Sequence, residues 1–168
     1  MIIQKFYEST IDEIPSHPSA AAAYGYKLLH GPDFSLVKYS TGHAVDFIKG
    51  MRLIISALLK DGSPEPLKKI LQRAEAILDK EQFSILGKKE KADDLSMTEM
   101  LRLSSFLRYH YKHNIVELQE IYAQLDAWYG MAMAMDKYDL VFPEFVESNH
   151  PIVNASGLYH ILLSHPVA

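Results

Sequence analysis

The sequence contains no cysteine, only one tryptophan and no long run of apolar residues. The absence of cysteine excludes disulfide scaffolds, thiolate nucleophiles, iron–sulfur clusters and zinc sites built on cysteine. The longest apolar stretches, such as residues 53–59 and 131–135, are far shorter than the ~20 residues of a transmembrane helix, and the N-terminus lacks a signal-peptide pattern. We therefore expect no membrane span, and a cytoplasmic location fits a chain without cysteine.

Basic side chains are scarce in the C-terminal part of the chain. Overall, 17 Lys and Arg stand against 21 Asp and Glu, which gives a formal net charge of -4. Residues 1–84 carry ten basic and ten acidic side chains, whereas residues 113–168 carry one lysine and seven acidic residues. Because phosphate neutralisation supplies most of the non-specific affinity for nucleic acids, we expect this chain alone to bind DNA weakly.

Helical periodicity dominates the first half of the sequence. With 168 residues, 48% of them apolar, the chain is long enough to bury a core. We predict helices at 20–29, 44–59 and 63–78. The first is alanine-rich and is followed by a Gly-Pro pair, the second has apolar residues at three- and four-residue spacing, and the third opens on a capping serine and a proline. Residues 87–95 are predicted to be a polar loop.

A much longer helix is predicted next. Ser96 and Glu99 form a capping-box pattern, and no proline follows until Pro143. Apolar residues then recur in alternating steps of four and three, the pattern of a helix packed against antiparallel neighbours. A helix from 96 to 137 would be roughly 60 Å long. Its methionine–alanine alternation at 131–135 is predicted to pack in the core, with a soft contact surface as the alternative.

The pattern changes after Lys137. Residues 140–146 and 157–163 are short runs rich in β-branched and aromatic residues, separated by a turn-forming stretch. The sequence thus predicts a mainly α fold with one very long C-terminal helix, followed by a short two-strand β segment. The expected domains are a helical core at 1–137 and a strand-rich segment at 138–168.

Catalytic patterns are missing from the sequence. No serine lies in a Gly-x-Ser-x-Gly elbow, and the glycines are isolated, so neither a serine hydrolase nor a phosphate-binding loop is indicated. His110, His113 and Glu117 would share one helical face and offer a zinc-binding donor set, which leaves a metal enzyme as a minor alternative. The simpler reading is an exposed stretch of helix, and we predict no catalytic residue and no metal site in this chain.

Four short stretches near the C-terminus follow a distinctive order: Lys137-Tyr138, Phe142-Pro143-Glu144-Phe145, Gly157-Leu158-Tyr159-His160 and His165-Pro166-Val167-Ala168. This order resembles the MutS mismatch-repair ATPase family, where a long lever helix ends in an Arg-Pro-Glu-like strand and a Gly-x-x-His-Pro strand follows. Here Phe142 replaces the arginine, and Ile161 replaces the proline after the histidine. The similarity covers about thirty residues.

The resemblance implies a helical lever-type bundle that stops just before an ATPase domain. Residues at this junction pack near the adenine of ATP in the family, which implies a cofactor-binding role for His165, Pro166 and Val167. The parent protein would hold ATP and Mg, form a homodimer and contact DNA. The family's DNA-gripping clamp lacks a counterpart, because residues 87–95 are only a short loop. Phe6-Tyr7-Glu8 matches the Phe-x-Glu of the family's mismatch wedge, but that wedge belongs to a separate domain for which the chain has no room.

The expected function is therefore mechanical. As the non-catalytic core and lever domain of a MutS-like DNA-repair ATPase, the chain would couple ATP-driven changes to DNA contacts and would touch its own ATPase domain. The alternative is a stand-alone helical protein–protein interaction module.

Overall fold

The computed structural model describes residues 2–89 and 91–158, with side chains from residue 5 onward. The chain divides into two compact units, Met1–Ala123 and Gln124–Ala168. This division falls inside the last helix, whereas the predicted boundary at residue 137 falls near the end of that helix. The described residues are mainly helical, which confirms the α class.

The described chain contains six α-helices, two 3₁₀ segments and one π-helical turn, joined by loops. The α-helices are α1 (Ile2–Glu8), α2 (Ala20–Leu29), α3 (Gly31–Leu58), α4 (Glu65–Leu78), α5 (Met97–Ser105) and α6 (Lys112–Tyr138). The others are a 3₁₀ segment (Glu81–Lys88), a 3₁₀ turn (Ala92–Asp94) and a π-helical turn (Phe106–His110). Within the described ranges, no helix combines the length and the apolar character needed to cross a membrane.

Helix α3 is the centre of the first unit. It packs against α1, α2, α4 and α5, and its side chains at Val37, Val45 and Ile48 are completely buried. The predicted helix at 44–59 is confirmed, but α3 begins earlier, at Gly31. Pro32 fits there because the amides of a first helical turn have no intrahelical partner to lose.

The local start signals in the sequence were largely correct. The Ser19 hydroxyl accepts the Ala22 amide at 3.2 Å and caps α2. Ser96 and Glu99 form a complete capping box at the start of α5. Ser63 does not cap α4, which begins at Glu65; its hydroxyl instead donates to the Leu58 carbonyl at 2.6 Å and so closes the end of α3.

The prediction of one continuous helix from 96 to 137 is wrong. The π-helical turn Phe106–His110 follows α5, Tyr111 leaves helical geometry at φ -126°, ψ 9°, and α6 starts at Lys112. Because a π-helix places residues five apart above one another, the rings of Phe106 and Tyr111 stack, with centroids 4.8 Å apart. Burial of the Tyr111 ring and its stacking on the half-buried Phe106 ring favour the π-helical turn over a regular α-helix.

The predicted β segment is not formed in the described part of the chain. Residues 140–148 have no regular secondary structure, and no strand occurs anywhere in 2–89 or 91–158. The second predicted strand, 157–163, lies mostly outside the described residues. Apolar and β-branched composition in residues 140–146 was therefore not sufficient for a strand, since a strand also needs a neighbour for its backbone hydrogen bonds.

Two buried hydroxyls on α3 differ in their hydrogen bonding. The Thr41 hydroxyl lies 2.6 Å from the Ser104 hydroxyl of α5, which also donates to the Met100 carbonyl. The neighbouring Ser40 is 1% exposed, and its hydroxyl has no partner among the described residues. An unpaired buried hydroxyl is destabilising, whereas the Thr41–Ser104 pair ties two helices together.

Replacing Ser40 by alanine is expected to stabilise the protein by about 1 kcal/mol, because the unpaired hydroxyl is removed and alanine is the better helix former. Ser104→Ala is the matched control, for which we expect the opposite change in stability. It leaves the Thr41 hydroxyl without its partner and should cost about 1–2 kcal/mol. Urea denaturation of both variants measures the difference, and equal destabilisation by the two would contradict this account of Ser40.

Candidate functional site

A cleft of about 450 Å³ opens beside α5 and the π-helical turn. Its walls come from three separate stretches of the first unit: residues 16–17, the 3₁₀ segment Glu81–Lys88, and the helical run from Glu99 to His110. We call it the α5 cleft. π-Helical turns inside helices are frequent at functional sites, which makes the α5 cleft the first candidate for a binding site.

One side of the α5 cleft combines apolar and polar groups at helical spacing. Arg102, Ser105 and Phe106 all line it, and steps of three and four residues place them on one face of α5. Leu103 and Ile85 add apolar surface. Ser105 is only 2% exposed, and its hydroxyl forms no hydrogen bond with another described residue.

The charged groups around the α5 cleft are engaged to different degrees. The Glu99 carboxylate accepts the Ser96 amide at 2.7 Å and lies 3.4 Å from the Lys89 ammonium. The hydrogen bond from Ser96 and, less strongly, the Lys89 charge hold the pKa of Glu99 below its usual value. Across 2–89 and 91–158, the side chains of Arg102 and Glu81 have neither a hydrogen bond nor an ion pair.

The donor set weighed for zinc is not assembled. Glu117 uses both carboxylate oxygens to accept the Arg73 guanidinium, at 2.5 and 2.7 Å. This bidentate pair lowers the pKa of Glu117, chiefly through the hydrogen bond from Arg73, and it links α4 to α6. His110 instead lines the α5 cleft. The three residues do not form a metal-binding group in the described structure.

A different trio does come together, between α2 and the start of α3. Donor atoms of Asp12, His30 and Asp33 lie within 4.8 Å of one another. His30 Nδ1 is 2.6 Å from an Asp12 carboxylate oxygen, and Asp33 accepts the Asp12 amide at 3.1 Å. These contacts fix the loop before α2 onto the α2–α3 junction. Each of the three side chains thus has a partner within the protein. The sequence carried no signal for them, since Asp12 is 18 residues from His30.

The Phe-x-Glu match in α1 has a structural role. Phe6 is 2% exposed, and the Tyr7 hydroxyl donates to the Leu107 carbonyl at 3.0 Å. Burial raises the pKa of Tyr7 well above its usual value, with Arg108 opposing this weakly, so the hydroxyl stays a neutral donor. A wedge inserted between DNA bases needs an exposed ring, which Phe6 does not offer.

In the second unit, apolar side chains are exposed. Met131 and Met133 are 55% and 51% exposed, so the prediction that the methionine–alanine alternation packs in a core is wrong for these two. After α6, residues 139–158, which we call the C-terminal segment, expose a series of large apolar side chains. These are Val141, Phe142, Phe145, Val146, Ile152, Val153 and Leu158.

The residues with an implied cofactor role, His165, Pro166 and Val167, lie outside the described residues. Arg102, Ser105 and Glu81 were missed from the sequence, because the α5 cleft joins segments up to about 90 residues apart and no local motif marks it.

No protein-family model, no curated protein and no solved structure matches this chain. The MutS resemblance therefore depends on its C-terminal residues alone and stays a prediction.

Proposed function

We propose that this chain is the non-catalytic core and lever domain of a MutS-like, cytoplasmic DNA-repair ATPase. In this role it couples ATP-driven changes to DNA contacts within a homodimeric parent protein that binds ATP and Mg. The observation that carries the proposal is that α6 leads directly into a segment without regular secondary structure whose apolar side chains are exposed.

Helix α6 has the properties that a lever requires. It is continuous over 27 residues, which corresponds to about 40 Å. Its backbone hydrogen bonds make a helix stiff along its axis, so a displacement at one end reaches the other. The lever of this proposal is α6 alone, since the π-helical turn separates it from α5.

The C-terminal segment has the properties of a docking sequence. Phe145 is 95% exposed and Val153 is 94% exposed, which costs hydrophobic free energy unless a partner covers them. The segment also carries three acidic residues and no basic one. Its partner surface should therefore be apolar with basic residues at its rim, and in this proposal that surface belongs to the parent's ATPase domain.

A stand-alone interaction module is the second candidate. Met133 is half-exposed and Tyr129 is 67% exposed; because they lie four residues apart, they share one face of α6 and offer an apolar surface of the kind that adapts to different partners. This surface needs no ATPase domain. The two candidates differ in what the gene encodes next.

Reading the gene beyond codon 168 distinguishes them. The lever proposal expects Asn-Asp within the next few codons and a Gly-x-x-x-x-Gly-Lys-Ser or Thr loop farther on. A natural stop codon directly after Ala168 would overturn it and would favour the interaction module.

In the full-length protein, Phe142→Ser with Phe145→Ser is expected to reduce DNA-stimulated ATP hydrolysis at least tenfold. Both rings are exposed, so the stability of the helical unit should change by less than about 0.5 kcal/mol. The matched control is Tyr24→Ser with Leu28→Ser on α2, which removes two similarly exposed apolar side chains from the first unit. If DNA stimulates ATP hydrolysis equally in both double variants and in the unmodified full-length protein, the C-terminal segment does not dock as proposed.

A further inference from the structure

We infer that the α5 cleft binds a small organic anion, in which an oxyanion group is attached to a flat apolar body. This inference is independent of the lever proposal, because it uses only residues of the first unit. It depends on the side chains that line one face of α5.

The anionic half of the ligand follows from two unpaired donors. Arg102 has no ion pair or hydrogen bond within the described residues, and its planar guanidinium can donate two parallel hydrogen bonds to an oxyanion. Ser105, one turn farther along, is almost fully buried and its hydroxyl has no described partner. Among the described residues, Ser40 alone has a fully buried hydroxyl without a partner, so the Ser105 hydroxyl is accessible from the cleft and can donate to a ligand oxygen there.

The apolar half follows from the surface next to these donors. Phe106 is half-buried and lies one residue after Ser105, with Leu103 and Ile85 also lining the cleft. The Phe106 ring is held in place by the rings of Phe83 and Tyr111, at 5.7 and 4.8 Å between centroids. A fixed apolar wall beside an oxyanion-binding pair matches a ligand with the same two parts.

The other charged groups that line the α5 cleft affect how strongly it attracts an anion. Two carboxylates line the α5 cleft, but Glu99 is compensated by Lys89 and by the Ser96 amide. Glu81, on the 3₁₀ segment of the other wall, is uncompensated and should weaken anion binding. Neutralising Arg102 should therefore weaken anion binding, whereas neutralising Glu81 should strengthen it, and these opposite effects test the inference.

The probe is 8-anilinonaphthalene-1-sulfonate, which joins a sulfonate to aromatic rings and fluoresces on binding. We expect saturable one-to-one binding, weakened about tenfold by Arg102→Gln, weakened less by Ser105→Ala and tightened by Glu81→Gln. Lys69→Gln, a matched loss of one exposed cation outside the cleft, should leave the affinity unchanged. Phenylacetate should displace the probe, whereas phenethylamine, of similar size and opposite charge, should not.

Three results would overturn the inference. The first is equal affinity in Arg102→Gln and Lys69→Gln. The second is weaker binding in Glu81→Gln. The third is loss of the fluorescence signal in Phe142→Ser with Phe145→Ser, which would place the probe on the C-terminal segment. Far-ultraviolet circular dichroism of each variant establishes that it is folded, and Arg102, Glu81 and Lys69 are exposed enough to be replaced without loss of the core.

Discussion

Replacing Phe83 by alanine is expected to lower the free energy of unfolding by about 3–5 kcal/mol. Phe83 is completely buried, and its ring makes edge contacts with the rings of Phe106 and Tyr111, at 5.7 and 5.3 Å between centroids. Loss of the ring leaves a cavity beneath the 3₁₀ segment and removes the support of the π-helical turn. The expected cost combines the lost burial with that cavity.

Urea denaturation followed by circular dichroism measures the effect. The matched control is Phe145→Ala, where the same side chain is 95% exposed and the change should stay within about 0.5 kcal/mol. A cost below about 1 kcal/mol for Phe83→Ala would mean that the three-ring cluster does not form in solution. Because Phe106 also lines the α5 cleft, the variant should in addition weaken binding of the anionic probe.

Replacing Arg108 by alanine is expected to release α1 and to cost about 2–3 kcal/mol. The Arg108 guanidinium donates to the carbonyls of Phe6 and Ser9, the latter at 2.6 Å, and lies 5.3 Å from the centre of the Phe6 ring. These contacts reach across about a hundred residues of sequence. Without the guanidinium, the Ser9 carbonyl loses its side-chain donor, the Phe6 carbonyl keeps the Ser9 hydroxyl at 3.3 Å but loses the charged donor, and the cation–π contact is lost as well.

Arg108→Lys should recover little of the loss, because a single ammonium group cannot reproduce the planar pair of donors. Amide hydrogen exchange is the most direct measurement, with faster exchange expected in residues 5–9 and little change in α3. Arg102→Ala removes the same side chain from an exposed position without described partners, and it should change stability by less than about 0.5 kcal/mol. Unchanged exchange in residues 5–9 of Arg108→Ala would show that the other contacts of α1, including the Tyr7–Leu107 hydrogen bond, hold it without Arg108.

Local signals in the sequence accounted for most helix positions. The Ser96–Glu99 capping box and the 20–29 helix were predicted correctly, because a cap depends on residues only three or four apart. The apolar stripe of α3 was likewise correct. The mainly α class followed from this helical periodicity, and the acidic character of the C-terminal part followed from its composition.

Long-range contacts decided the rest. The break near Tyr111 was not visible in the periodicity, because the same apolar residues fit a continuous helix; only the ring cluster with Phe83 and the reach of Arg108 to α1 select the π-helical turn. The α5 cleft was invisible for the same reason, since its walls are distant in sequence. For the apolar C-terminal segment, composition determined that its side chains favour burial. Whether it forms a strand depends on a neighbour that can pair with its backbone, and no local pattern specifies that neighbour.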